Sequence, residues 1–196
     1  RFTVDRHLLE TAAEASKLKD RVERPDLLVV GALLHDIGKP YPGDHTEVGI
    51  ELIGIIGRRM GFPEPDIEAL IQMCEHHLLL PDIATRRDLD DFDTIQTVAN
   101  SLQSVQTVEL LHALTEADSI ATGPAAWSTW KAGLVRDLAT RTSAYLKGGE
   151  RSIMERTFPT ADQLQMMRRG MIRVEGSEDL LTIMEIDRPG VFGRVA

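Results

Sequence analysis

Residues 27–37 read Leu-Leu-Val-Val-Gly-Ala-Leu-Leu-His-Asp-Ile, and Gly38 and Lys39 follow. Pro25-Asp26 opens this stretch, and proline suits the first turn of a helix. A helix with almost no polar face is buried on all sides, so the rest of the chain must wrap around it. The histidine and aspartate at its end are the exception. A buried carboxylate is costly without a cation beside it. Imidazole and carboxylate together are ligands for a divalent metal. The segment therefore predicts a central buried helix leading into a metal site at His35 and Asp36, with Gly38 as the helix stop. The sequence holds six histidines, so five others are available as partners. His35 and Lys39, four apart, share a helix face, with Asp36 about 100° round. Lys39 is then either a solvated lysine past a helix end or a charge aimed at Asp36 or a substrate phosphate.

Composition narrows the class. The chain has 196 residues, of which 42% are hydrophobic and 27% charged, the balance of an ordinary globular protein. A net charge of −9 argues against a surface that coats DNA or RNA, which would need a basic field. One cysteine, Cys74, leaves no internal disulfide framework and fits a reducing compartment, here expected to be the cytoplasm. No run approaches the ~18 apolar residues of a membrane span. The start, Arg1-Phe2-Thr3, lacks a signal-peptide pattern and a methionine, so the chain is expected to be a piece of something longer.

Helical periodicity continues on both sides of the central stretch. Leu8, Ala12, Ala15 and Leu18 predict a helix over 4–18, with His7 beside its apolar face. After the loop 39–43, Asp44 with Glu47 forms a capping-box pattern for a helix that Gly61 ends, with His45 in its first turn. The positive end of the helix dipole there favours neutral imidazole, the form a metal needs. Pro65 opens a fourth helix that carries Cys74 as a small core residue, a solvated Glu75, and His76-His77 near its end, with Pro81 beyond it. Residues 81–91 read as a surface loop, one that could offer Arg86 and Arg87 to a phosphate or a partner. Helices follow over about 92–104, 106–121 and 125–147. Asp118 lies in an apolar stripe and wants a cation. His112, six residues earlier, falls on another face and reads as structural. Beyond Gly148-Gly149 the pattern weakens, with a short helix expected over 160–169. Leu180 to Asp187 then reads as a strand, Arg188-Pro189-Gly190 as a turn, and 191–196 as the start of a helix.

In order, then, the chain offers His7, His35-Asp36, Lys39, His45, His76-His77 and Asp118. One metal takes about four to six ligands. A set this large suits two metals with a shared carboxylate, a recurrent hydrolytic device. No G-x-S-x-G, P-loop, H-E-x-x-H or cysteine cluster competes with it.

The pattern His7, His35-Asp36, Asp118 resembles the HD superfamily of metal-dependent phosphohydrolases. His45, His76-His77 and the Lys39 of His-Asp-Ile-Gly-Lys resemble its dinuclear branch. Gly43-Asp44-His45-Thr46-Glu47, His76-His77-Leu78-Leu79, Thr85-Arg86-Arg87-Asp88 and Thr115-Glu116-Ala117-Asp118 resemble the HD domain of the bacterial enzymes that uridylylate and deuridylylate PII signalling proteins. Asp187-Arg188-Pro189-Gly190-Val191-Phe192 is similar to the first strand-to-helix corner of an ACT domain. The fold implied is all-α, an HD-type helical bundle over residues 1–147. A linker over 148–178 and the start of a truncated α+β, ACT-like domain over 179–196 would follow.

The function implied is hydrolysis of a nucleotidyl group, UMP or in some relatives AMP, from a tyrosine of PII, by attack of a hydroxide that bridges two metals. Carried over, His7, His35, Asp36 and Asp118 would hold one divalent ion. Asp36, His45, His76 and His77 would hold the second, the ions being Mn2+, Mg2+ or Fe2+. Asp36 would bridge, and Lys39 would stabilise phosphoryl charge. Glutamine would be sensed by complete ACT domains, and the partial one leaves scope for pairing with a second copy. Two alternatives stay open. One is an HD phosphohydrolase of a free nucleotide such as an alarmone or dinucleotide. The other is a non-catalytic regulatory HD module.

Overall fold

The structure is a computed structural model that describes residues 3–149, 173–177 and 180–184. It divides into two compact units, residues 1–152 and 153–196. Among the described residues the first unit is all helical. Its helices are α1 Val4–Lys17, α2 Pro25–Leu34, α3 His45–Met60, α4 Glu64–His76, α5 Leu79–Arg86, α6 Phe92–Leu102, α7 Val105–Thr122 and α8 Thr129–Gly148. None is long and apolar enough to cross a membrane.

α2 and α7 form the centre. Leu27, Leu28 and Ala32 of α2 are fully buried, as are Leu111, Leu114 and Ala117 of α7. Each such leucine contributes on the order of 2 kcal/mol through the apolar surface it removes from water. α7 is buried on more than the one stripe its periodicity suggested, because Leu110, Ala113 and Thr115 are enclosed too. Its neighbours account for this: α1, α2, α4 and α8 all pack on it. α3 lies on α4, and α8 covers α5 and α6.

Helix boundaries follow local chemistry at α3. The Asp44 carboxylate accepts from the Thr46 and Glu47 amides at 2.8 and 3.1 Å, and Gly61 closes the helix at φ 84°. Two expectations fail. The central helix does not run to Gly38. It ends at Leu34, and residues 35–40 form successive tight turns, with Ile37 N bonded to Leu34 O and Lys39 N to Asp36 O. Nor are residues 81–91 a loop throughout. α5 occupies Leu79–Arg86 with Pro81 in its first turn, where a missing N–H costs nothing. Leu80 and Ala84, four apart, are its buried side, and Asp82 and Arg86 lie on its exposed face, while the remaining charges of the stretch follow it in the loop 87–91.

Gly38 also has a different reason to be glycine. It is not among the residues with positive φ. A Cβ there would stand 1.9 Å from the His45 carbonyl oxygen and 2.7 Å from Gly49 N, so the turn and the α3 backbone touch without side-chain space between them. Gly49 repeats the device against α4, where a Cβ would meet Cys74 Sγ at 2.8 Å.

In the second unit, β1 Arg173–Ser177 pairs antiparallel with β2 Leu180–Met184, from Arg173 opposite Met184 to Ser177 opposite Leu180. β1 lies inside the stretch read as a linker. Its own pattern is weak, and it is defined by its backbone pairing with β2. The helix expected over 160–169, the end of the expected strand at 185–187, the Arg188-Pro189-Gly190 turn and the helix start at 191–196 lie outside the described residues.

Candidate metal centre

The turn after α2 carries His35 and Asp36 into the interior, 1% and 3% exposed. α1 brings His7 and α7 brings Asp118 to the same point. His7 Nε2 lies 3.0 Å from Asp118 Oδ1 and 4.0 Å from Asp36 Oδ2. His35 Nε2 lies 3.4 Å from Asp36 Oδ2 and 3.7 Å from Asp118 Oδ1. His7, His35 and Asp118 each offer a ligand atom within 4.8 Å of the others, the one such group of three among the described residues. Asp36 is outside that group but touches two of its members, and its Oδ2 also pairs with Lys39 Nζ.

His77 enters from the end of α4, with Nε2 3.6 Å from Asp36 Oδ1. The two buried histidines are held alike. His35 Nδ1 is 2.8 Å from the Ala32 carbonyl and His77 Nδ1 is 2.6 Å from the Cys74 carbonyl. Each carbonyl accepts a hydrogen bond from Nδ1–H, which in the neutral ring leaves Nε2 as a lone pair facing a carboxylate oxygen. Two acceptors facing each other in a dry site repel unless a proton or a cation lies between them. The same carbonyl anchoring of the far ring nitrogen is what orients metal-ligating histidines.

His35 Nε2 and Asp36 Oδ1 are both buried without a hydrogen-bond partner. Burial opposes charge on His35, but the adjacent Asp36 and then Asp118 outweigh it and raise its pKa above the ordinary value. Burial also opposes ionised Asp36. His35, Lys39 and His77 outweigh that and hold its carboxyl well below the usual carboxylate range. Burial, with the nearby His35, keeps His77 low. The set of hard oxygen and imidazole donors, two atoms of it orphaned, fits a divalent metal ion.

The other expected ligands stand differently. His45 is the first residue of α3 and is exposed. His76 is half-buried, its Nε2 3.9 Å from Glu75 Oε2. Neither belongs to the close group around His7. Arg86 is exposed and pairs with Asp82 at 3.6 Å, and Arg87 caps α5, also exposed. Cys74 is buried, which pushes its thiol up to about 11, so it is a core residue and no thiolate ligand. His112 sits away from the site, near Arg21, Glu116 and Arg136.

An open cleft of about 740 Å³ leads to the centre. His7, Asp36 and Lys39 line it, together with Glu10 and Glu14. The glutamates were not singled out from sequence. Their spacing of three and seven from His7 places them on its face of α1, a signal that was available.

A buried His-Asp pair, completed by a histidine from the first helix and an aspartate from the seventh, is the arrangement of an HD domain. Residues 4–123 match the HD domain family, and the chain belongs to it. HD domains are metal-dependent, in keeping with the donor group found here. The chain is 52% identical over 162 residues to a bifunctional uridylyltransferase/uridylyl-removing enzyme of Streptomyces coelicolor, covering 83% of this chain and 19% of that protein. It is 51% identical over 160 residues to a Mycobacterium tuberculosis protein of the same description, covering 81% of this chain and 20% of the relative. A Gluconobacter oxydans protein, again so described, is 37% identical over 163 residues, with 76% of this chain and 17% of the relative covered. The chain thus spans about a fifth of the length of these relatives.

Proposed function

We propose that this chain is the hydrolytic domain of a PII-modifying enzyme. It would remove a nucleotidyl group, UMP or AMP, from a tyrosine of the PII nitrogen-signalling protein in the cytoplasm. The observation that carries this reading is the pair of buried, unpartnered atoms, His35 Nε2 and Asp36 Oδ1, beside His7, His77 and Asp118. The substrate is suggested by the relatives, which are described as uridylyl-removing enzymes.

His7, His35, Asp36 and Asp118 would hold one divalent ion, Mn2+, Mg2+ or Fe2+. Asp36 and His77, with His45 and His76, would serve a second. When bound, such ions activate water as a nucleophile and neutralise phosphoryl charge. The protein's own groups have separate tasks. Lys39, half exposed beside Asp36, would balance charge on the phosphoryl oxygens as it grows. The leaving tyrosyl oxygen has an ordinary pKa of about 10, so it departs with less proton transfer than an alkoxide needs. Arg86 and Arg87 would contact the protein substrate. Glutamine would act through complete ACT domains, to which residues 179–196 would contribute, and pairing with a second copy would complete that unit.

The test is direct. Purified protein supplied with Mn2+ is incubated with uridylylated and adenylylated PII, and the released nucleotide is identified by mass spectrometry. Release of one monophosphate is expected. Protein that retains no metal and releases neither nucleotide would overturn the reading, and preferential hydrolysis of a free alarmone or dinucleotide would replace the substrate.

A further inference from the structure

The cleft over the metal centre has an uneven charge. Three carboxylates line it, Glu10, Glu14 and Asp36, against one lysine, Lys39, which is already paired with Asp36. Glu10 and Glu14 are half-buried on α1, on the His7 side of the cleft. Each is paired with a cation, Glu10 with Arg6 and Glu14 with Lys17, but Arg6 and Lys17 are 60% and 65% exposed and do not line the cleft, so the carboxylates and not their partners face it. Val4, Ile120 and Pro124 give the same cleft an apolar surface. Asp36, whose Oδ1 is buried without a hydrogen-bond partner, is itself one of the lining residues, so the cleft reaches the metal donors.

A phosphoryl group is drawn to Lys39 and the metal donors. Glu10 and Glu14 repel further anions, while Val4, Ile120 and Pro124 accept a neutral ring and the carboxylates accept hydrogen bonds from ribose hydroxyls. We propose that Glu10 and Glu14 make the cleft a charge filter. It admits a nucleoside joined through a single phosphodiester and rejects nucleotides that carry additional phosphates. The inference rests on the hydrolase function proposed above and gives it a physical basis for preferring a nucleotidylated protein to a polyphosphate nucleotide. Two unit charges about 8 Å apart at an effective dielectric of about 40 alter an affinity about fivefold. Two glutamates acting on the two extra phosphates of UTP therefore exceed about tenfold, even after partial screening by salt.

The experiment is calorimetric titration of the Mn2+-loaded chain with UMP and with UTP at fixed ionic strength. The proteins compared are wild type, E10Q/E14Q, the charge-retaining E10D/E14D, and E51Q/E68Q, which removes two exposed carboxylates elsewhere. Circular dichroism checks that each keeps its helices. Comparing one ligand across proteins cancels its own affinity for Mn2+. The UTP-to-UMP affinity ratio should rise about tenfold in E10Q/E14Q and stay within about twofold of wild type in the other two. A ratio that moves less than about threefold in E10Q/E14Q, an equal rise in E51Q/E68Q, or wild-type protein that does not bind UMP would overturn the filter. Hydrolysis of nucleotidylated PII, assayed in parallel, separates the two claims. Hydrolysis with an unshifted ratio removes the filter and keeps the hydrolase. A shifted ratio without hydrolysis supports the filter and removes the proposed substrate.

Discussion

Gly38→Ala tests how the turn bearing Asp36 and Lys39 is held. The added methyl would sit 1.9 Å from the His45 carbonyl oxygen and 2.7 Å from Gly49 N, both backbone atoms of one helix. Real Cβ atoms do not approach closer than 3.0 Å, so the turn or the start of α3 must retreat by about 1 Å. No side-chain rotation can absorb that. Inserting one methylene-sized group into a packed interior costs about 1–3 kcal/mol, and a rigid helix backbone as the obstacle puts this case at about 3 kcal/mol. At about 2–4 °C per kcal/mol for a domain near this size, the melting temperature should fall by about 6–12 °C. The shift also moves Asp36 relative to His7 and His35, so Mn2+ affinity should drop at least about tenfold. Thermal unfolding by circular dichroism and Mn2+ titration measure the two effects. Gly49→Ala is the internal control. Its methyl meets the end of the Cys74 side chain at 2.8 Å, which can turn away, so it should cost only about 1 kcal/mol. If Gly38→Ala melts within about 2 °C of wild type, the close approach is not a constraint and the reasoning is wrong.

Asp36→Ala should weaken divalent-metal binding more than about 100-fold, beyond the loss seen when only a supporting partner is removed. Retained metal-dependent phosphodiesterase activity in that variant would refute its role as a ligand. His112 is half-buried, and burial, with Arg21 and Arg136 nearby, lowers its pKa. A lowered histidine is neutral in the fold and binds its proton more readily when unfolded. Its stabilising effect is complete above about pH 6.5 and is lost as pH falls below that value. His112→Gln should therefore flatten the acid-side decline in melting temperature, and an unchanged pH profile would refute the argument. Arg24 grips Asp66 through two bonds of 2.8 and 2.7 Å and also holds Asp26, tying the start of α2 to α4. Arg24→Ala should cost about 1 kcal/mol at low salt and less at high salt. A loss that does not vary with salt in denaturant titrations would show that packing of its stem, and not charge, is what matters.

Much of this was legible in the chain. The Asp44 cap and Gly61 stop fix α3 because capping depends on atoms within a few residues. The apolar run at 27–34 announced a helix for the same reason, but not one buried on all sides: Leu33 is exposed and Val29 and Val30 are half-buried, because which side of an apolar helix is covered depends on its neighbours. The residue types of the site were legible too, because few groups other than metal ligands justify an aspartate beside a histidine at a buried position. What failed was also informative. Charge and proline suggested a loop over 81–91, but Leu80 and Ala84 had a surface to bury against, and helix formation followed that packing.

Sequence alone thus offered the residues that a metal could use and the segments that carry them, though His35 and Asp36 lie on the turn after α2 and not on the helix expected. Tertiary structure decided which of them meet. His7 and Asp118 are separated by most of the domain in sequence yet lie 3.0 Å apart, because α1 packs directly on α7. His77 faces Asp36 while its neighbour His76 faces Glu75, a choice set by the backbone carbonyl that anchors His77. Gly38 read as a helix stop, and only the packed structure showed that it clears room for another backbone. The physical reason is common to all three. Helix period and caps are properties of a few adjacent residues, whereas a metal centre and a close backbone crossing are contacts between segments that the chain brings together only on folding.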